Sequence, residues 1–178
     1  MSMEFVSRKQ GRTTILEVNN AQIIRGGSFC NFEGRGDKYN REGDRNFAIR
    51  IPNEEIAEQL QNDVNEYGVG WNVKIRPARE EGEEPFMFLK IKLKYNRETG
   101  RGPSVYLESN GKVTRLNEDT IGCLDHIDIR EVSMDIRSYD DVINGNPCRA
   151  AYLQSMRVVQ EIDRFEAMYA DDRYDDEY

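Results

Sequence analysis

Residues Phe86 to Tyr95 alternate with a strict period of two. Met87, Leu89, Ile91, Leu93 and Tyr95 fall on one side of an extended chain, and Phe86, Phe88, Lys90, Lys92 and Lys94 on the other. A helix would scatter both sets around its axis, so the segment is a strand with one core face. The opposite face combines cations with flat apolar rings. Lysines at every second position repel one another unless acids or a polyanion lie opposite. A plain solvated edge also uses lysines to deter edge-to-edge pairing. Exposed phenylalanines beside them are a liability that such an edge would avoid.

The rest of the chain is organised around that strand. Thr13 to Val18 and Ala21 to Arg25 have β-type composition, broken at Asn19-Asn20. From Gly26 to Asp44 the pattern stops, and glycines mix with Phe29, Phe32 and Tyr39 and with Arg35, Lys38 and Arg41; Arg45 follows at the exit. A loop of that length is either functional or a plain insertion. Asn46 to Ile51 resumes as a strand. Asn53 is placed to cap a helix with Glu54 and Glu55 in its first turn and an apolar stripe of Ile56, Leu60, Val64 and Tyr67 ending at Gly68. Trp71, Val73 and Ile75 alternate with Asn72, Lys74 and Arg76 as another half-buried strand, and Glu80 to Pro85 is an acidic loop. Asn110-Gly111 is a hairpin signal between Val105–Leu107 and Val113–Leu116, and a short helix is expected from Asn117 to Leu124. Ile127–Ile129, Met134–Arg137 and Cys148–Val159 have strand character, the last after a turn at Asn144 to Pro147. Val158, Ile162, Phe165 and Met168 or Tyr169 have helical spacing, which predicts a C-terminal helix.

Short strands, one internal helix and long loops predict a mostly β (α+β) fold. The expectation is a small, closed or partly open barrel of the oligonucleotide-binding (OB) kind with one internal helix and a C-terminal helix, not a doubly wound sheet. With 178 residues, a single domain over 1–170 is expected, followed by a flexible acidic tail over 171–178. No apolar run approaches the ~20 residues of a membrane span, and Met1 to Gly11 lacks the apolar region of a signal peptide, so a cytoplasmic protein is expected. Cys30, Cys123, Cys148 and His126 are far apart with no ligand-type spacing, so neither a metal, a disulfide framework nor a cofactor is expected.

A net charge of −8 weighs against nucleic acid as a partner until it is divided. Residues 1–101 hold 17 Lys+Arg against 16 Asp+Glu, whereas residues 102–178 hold 8 against 17. The end of the chain concentrates Asp171, Asp172, Asp175, Asp176 and Glu177 before a terminal Tyr178. Such asymmetry fits a polyanion-binding body with an acidic appendage, or a plain solvated terminus. Catalysis finds little support: there is no phosphate-cradling glycine loop and no serine nucleophile elbow. Asp125, Asp128 and Asp135 could hold a divalent ion, but strand alternation with solvent accounts for them, and His126 has no candidate partner. A non-enzymatic protein is expected. Holding a single strand needs cations along a groove and exposed rings for bases, at about 1–3 kcal/mol per stacked base. The candidates are Phe86, Phe88, Lys90, Lys92 and Lys94, extended by Lys74 and Arg76, with Phe29, Phe32, Arg35, Lys38, Tyr39, Arg41 and Arg45 from the glycine-rich loop.

Three stretches carry a family likeness. Gly36-Asp37-Lys38-Tyr39-Asn40-Arg41-Glu42-Gly43-Asp44-Arg45-Asn46-Phe47, the pair Trp71–Pro77 with Pro85–Lys90, and Ala151–Met156 resemble bacteriophage single-stranded-DNA-binding proteins, over about residues 13–170. The resemblance implies an OB-fold protein that coats single-stranded DNA during phage replication and recombination, without sequence specificity and without turnover. It also implies that the tail, from Asp171 to Tyr178, docks phage or host replication partners or competes for the groove, although phenylalanine is the usual last residue. Homo-oligomerisation stays open. The other reading is a phage interaction protein, a nucleic-acid mimic or inhibitor of host defence, acting through the acidic C-terminal half. A metal-dependent nuclease is the third.

Overall fold

The computed structural model of the chain describes residues 2–26, 29–36, 38, 40–163, 165 and 168. The described residues form strands β1 (Glu4–Gln10), β2 (Thr13–Asn19), β3 (Cys30–Asn31), β4 (Arg45–Arg50), β5 (Val73–Arg76), β6 (Phe86–Leu93), β7 (Ser104–Ser109), β8 (Lys112–Leu116), β9 (Ile129–Ile143) and β10 (Asn146–Gln160). Helix α1 (Glu54–Asn62) lies between β4 and β5, and a 3₁₀ turn at Ile121–Asp125 precedes β9. All strands belong to one sheet whose main path runs β1-β2-β9-β10-β6-β4-β3, with β5 on β6, β7 on β10 and β8 on β7. The path has two ends, β1 and β3, so the sheet is open, and of the closed or partly open barrel expected from the strand pattern the closed form is not found among the described residues. Its ends have little to join them: β3 is two residues long, and β1 is exposed along nearly its whole length.

Strand β6 is the hub. One edge pairs antiparallel with β4, from Arg45↔Leu93 to Arg50↔Phe88. The other edge pairs with β5 over its first half and touches β10 in parallel at Tyr152↔Lys92. The alternation observed in β6 is the expected one on the core side, where Met87, Leu89, Ile91 and Leu93 are buried. They join one apolar cluster with Leu16, Phe47, Ile49, Trp71, Val105, Ile136 and Met156.

Local chemistry sets the boundaries. Asn53 Oδ1 accepts from the Ile56 N–H at 2.9 Å and caps α1. The helix stops at Asn62, short of the apolar stripe, because Asp63 and Asn65 draw the chain away. Asp63 Oδ2 accepts from the Trp71 indole, Asn65 Oδ1 accepts from the N–H groups of Tyr67 and Val69, and Val64 and Tyr67 are left exposed. Asn110-Gly111 and Asn144-Gly145 take left-handed conformations and close the β7–β8 and β9–β10 hairpins. The two separate strands expected before Asn144 are one continuous β9. The polar segment ahead of Thr13 is strand β1, an edge with almost no buried face and so no alternation to betray it. Asn117 Oδ1 accepts from the Asp119 and Thr120 N–H groups, but only the 3₁₀ turn follows. Of the expected C-terminal helix, only Phe165 and Met168 are described in helical conformation. Val158, placed in it by spacing, is a fully buried β10 residue opposite Val132 and Leu107; Ile162 lies in neither helix nor strand. Apart from Phe165 and Met168 the remainder of that helix lies outside the described residues. No helix of the described residues is long and apolar enough to cross a membrane.

Candidate nucleic-acid interface

The outward face of β6 meets β5 on one side and β4 on the other. Register places Lys74 opposite Phe88, Arg76 opposite Phe86, Ala48 opposite Lys90 and Asn46 opposite Lys92. Paired residues share a face, so the cations of β5 and β6 line one surface whose β4 side is short and polar. Ala48 and Asn46 are buried there and leave room above them. The result is a groove with two adjoining parts. One, about 390 Å³, is lined by Phe29, Lys74, Arg76, Phe88 and Lys90 among others. The next, about 460 Å³, shares Asn40, Asn46 and Lys90 with it and continues past Lys92, Lys94 and Tyr95.

At one end of the groove the glycine-rich loop folds back onto the sheet. The Phe29 ring lies edge-on to Phe88 at 5.1 Å and to Phe86 at 5.9 Å, and the Arg76 guanidinium stands 5.2 Å from the Phe29 centroid and 5.6 Å from that of Phe88. An arginine held over aromatic faces is already oriented for a nucleobase or a phosphate and loses less freedom on binding. Asp125 holds the following turn: its Oδ1 accepts from the Phe32 N–H at 2.9 Å and from the Cys30 thiol at 3.3 Å, and its Oδ2 from the Glu33 N–H at 3.0 Å. Burial first, and that hydrogen bond second, push the Cys30 thiol up to about 12. Asp125 is thus a clamp for the loop, not part of a row of solvent-facing acids.

The predicted residues divide accordingly. Phe86, Phe88, Lys74, Arg76, Lys90, Lys92, Lys94 and Phe29 come together in the groove. Phe88 is buried beneath Phe29, so it supports the surface more than it presents one. Phe32 is not a base-stacking residue: it is completely buried and stacks on Phe47 at 4.8 Å in the core. Arg45 reaches the groove, but its Nη1 lies 3.6 Å from Glu118 Oε1, its Nη2 donates to the Glu118 carbonyl, and its guanidinium covers the Tyr95 ring. It is spent on holding the wall. Arg35, Lys38 and Arg41 are exposed on the loop without lining the groove, Arg35 lying 3.8 Å from Glu33. Tyr39 and all of Asp171, Asp172, Asp175, Asp176, Glu177 and Tyr178 lie outside the described residues.

The electrostatics of the floor suit an anion. Lys74, Lys90, Lys92 and Lys94 make none of the ion pairs found among the described residues. Lys90 titrates below its usual range, first because it is partly buried and then because Lys74 and Lys92 repel its charge. A bound phosphate would offset the repulsion by the two lysines.

Comparison with known proteins was decisive at the level of family. The model of the phage ssDNA-binding domain matches residues 6–178. The chain belongs to that family. No curated protein matches it. Among solved structures, the single-stranded DNA-binding protein from bacteriophage Enc34 is similar at 11% identity and a TM-score of 0.47, covering 91% of this chain and 93% of that one. The same Enc34 protein in complex with ssDNA is similar at 13% identity and a TM-score of 0.49, covering 91% and 98%.

For a member of the phage ssDNA-binding domain family, the surface carries more than the sequence exposed. Tyr152 and Arg137 are paired across β9 and β10, and the Arg137 guanidinium lies 6.0 Å from the Tyr152 ring centroid. Tyr139 meets Tyr152 edge-on at 6.0 Å. Because Tyr152 is also opposite Lys92, these residues extend the lysine face across the sheet. The usable signal was alternation in β9, where Val132, Met134, Ile136 and Ser138 are buried and Arg137 and Tyr139 point outward.

Proposed function

We propose that the protein binds single-stranded DNA without sequence specificity along the β4–β6–β5 groove, with Lys74, Lys90, Lys92 and Lys94 neutralising phosphates and Phe29 with Arg76 stacking on bases. The observation that carries this reading is the groove's composition. One wall ends in an aromatic cluster capped by an arginine, and four lysines without carboxylate partners run along the floor. Family membership supports the same ligand. Among the described residues the groove is lined mainly by aromatic rings and cations, which fits stacking and phosphate contact.

The finer reading is an OB-like platform that coats and protects single strands during phage replication and recombination in the host cytoplasm, as a binder without turnover. In this reading residues 1–170 are the binding unit and 171–178 a tail that competes for the groove or docks replication proteins. The test is titration of labelled oligo(dT), oligo(U) and duplex DNA at several salt concentrations. Single strands should bind, with log Kd rising linearly in log salt at about 0.7 per neutralised phosphate, and Lys90→Gln with Lys92→Gln should flatten that slope by about 1.4. Equal affinity for duplex, or no binding of single strands at low salt, would overturn it. Degradation of the labelled strand with magnesium or manganese would overturn the absence of turnover.

A further inference from the structure

Strands β6 and β10 touch at a single register position, Tyr152↔Lys92, and then part. Beyond it β10 carries an irregularity between Leu153 and Ser155 and takes β7 as its new parallel neighbour from Ser155↔Ser104 onward. A sheet that changes partner in mid-strand leaves a seam, and here the seam opens into a cleft of about 520 Å³. Its lining includes Lys94, Arg101, Arg115, Arg137 and Tyr152, with the glycines Gly100 and Gly102 leaving the turn before β7 low, and it contains no aspartate or glutamate. None of those cations forms an ion pair among the described residues; Arg115 reaches only the Ser104 hydroxyl, at 3.5 Å. Four positive charges facing one open cleft, in a chain of net charge −8, repel one another unless an anion enters.

We propose that this β6–β10 seam is a second single-strand subsite, in which Arg101, Arg115 and Arg137 hold phosphates and the Tyr152 ring receives a base. The inference rests on the single-strand reading above and adds an exit path to it. Lys94 lines both this cleft and the lysine-floored part of the groove, as does Tyr152. A strand that enters at Phe29 and Arg76 therefore crosses Lys90, Lys92 and Lys94 and leaves through the seam without passing over uncharged surface. The two ends repeat one device, an arginine against an aromatic ring: Arg76 with Phe29 at 5.2 Å and Arg137 with Tyr152 at 6.0 Å. Stacking on such a ring tolerates any base.

The experiment pairs photo-crosslinking with a length series. An oligo(dT) carrying 5-iodouracil at one position at a time is bound to the unmodified full chain and irradiated, and the crosslinked peptides are mapped. Crosslinks should fall on Phe29 or Phe86 from iodouracils near one end of the oligonucleotide and on Tyr152 from those near the other. Crosslinks confined to the Phe29 end at every position would overturn the subsite. In parallel, an oligo(dT) ladder of roughly 4 to 16 nucleotides, the span of sites known for such folds, should show a second rise in affinity once the strand reaches the seam. Arg115→Gln with Arg137→Gln should abolish that rise, weaken long oligonucleotides about 10-fold and lower the salt slope by about 1.4. A second rise left intact in the double variant would also overturn it. Failure of the unmodified chain to bind any single strand would instead overturn the reading of function, and this subsite with it.

Discussion

Lys90 sits where strand alternation and cross-strand register bring three like charges together, with Lys74 on β5 and Lys92 two residues along β6. Partial burial is the larger reason that its pKa lies below the usual 10.5, and the two lysines add to it. The folded chain thus holds this proton less tightly than the unfolded one. Its charge opposes folding at low pH, and that opposition is relieved as the pH rises through the lowered pKa. A phosphate in the groove reverses the balance and tightens the proton, so binding takes protons up and weakens as the pH climbs toward 10.5. Affinity for oligo(dT) measured from neutral pH upward should therefore begin to fall at a lower pH in the native chain than in Lys74→Gln, where one repulsion is gone. Identical profiles in the two proteins would show that repulsion by Lys74 does not set the titration of Lys90 in the groove. The lysine face was legible in the sequence because β6 is a half-buried strand, and such a strand writes its two faces in alternate letters. The loop before it has no period. Nothing in its letters distinguishes Phe29, which reaches the groove, from Phe32, which fills the core, or marks Arg45 as the partner of Glu118 seventy-odd residues away.

The β9–β10 hairpin illustrates what an element adds to its residues. Each strand is 15 residues long, and together they carry Arg137, Tyr139 and Tyr152 on the outward face. The hairpin is fastened from within by Arg149. Its side chain is 1% exposed, its Nε donates to Asp140 Oδ1 at 2.7 Å, its Nη1 donates to the Asp63 carbonyl at 2.7 Å, and its guanidinium lies 4.9 Å from the centre of the Trp71 ring. One buried charge thereby ties β10 to β9 and to the end of α1. Removing it alone strands Asp140 in a site nearly closed to water, which costs about 3–5 kcal/mol. Arg149→Ala should lose that much in urea unfolding, and Arg149→Met combined with Asp140→Leu should regain most of it, because a well-packed apolar pair of similar volume is often no worse than a buried ion pair. A loss below about 1 kcal/mol for Arg149→Ala would mean that the network does not hold the hairpin. The turn at Asn144-Gly145 was plain from the sequence, since both residues take positive φ there. The length of β9 was hidden, because Arg149 points inward against the expected polarity and the distal residues Tyr139, Val142 and Ile143 are exposed against theirs. Closure of the sheet was likewise beyond a local pattern, being decided by whether two distant and very unequal edges meet.

On the scale of the molecule, the charge that first weighed against a nucleic-acid ligand is unevenly placed. The groove and the seam together hold Lys74, Arg76, Lys90, Lys92, Lys94, Arg101, Arg115 and Arg137, while five acids lie in the last eight residues of the chain. In the proposed reading, a polyanionic segment on the same chain as a cationic groove acts at a high effective concentration and competes with DNA wherever it can reach. That competition is electrostatic and fades as salt shortens the Debye length, from ~30 Å at 0.01 M to ~10 Å at 0.1 M. Deletion of residues 171–178 should therefore tighten oligo(dT) binding at low salt, with the two proteins converging as salt is raised. The full chain should show the shallower salt dependence of the two if its own acids compete for the groove when salt is low. Equal affinities at every salt concentration would leave the tail only the role of docking partner proteins. Weaker binding by the shortened chain would mean that the tail assists the DNA instead of displacing it.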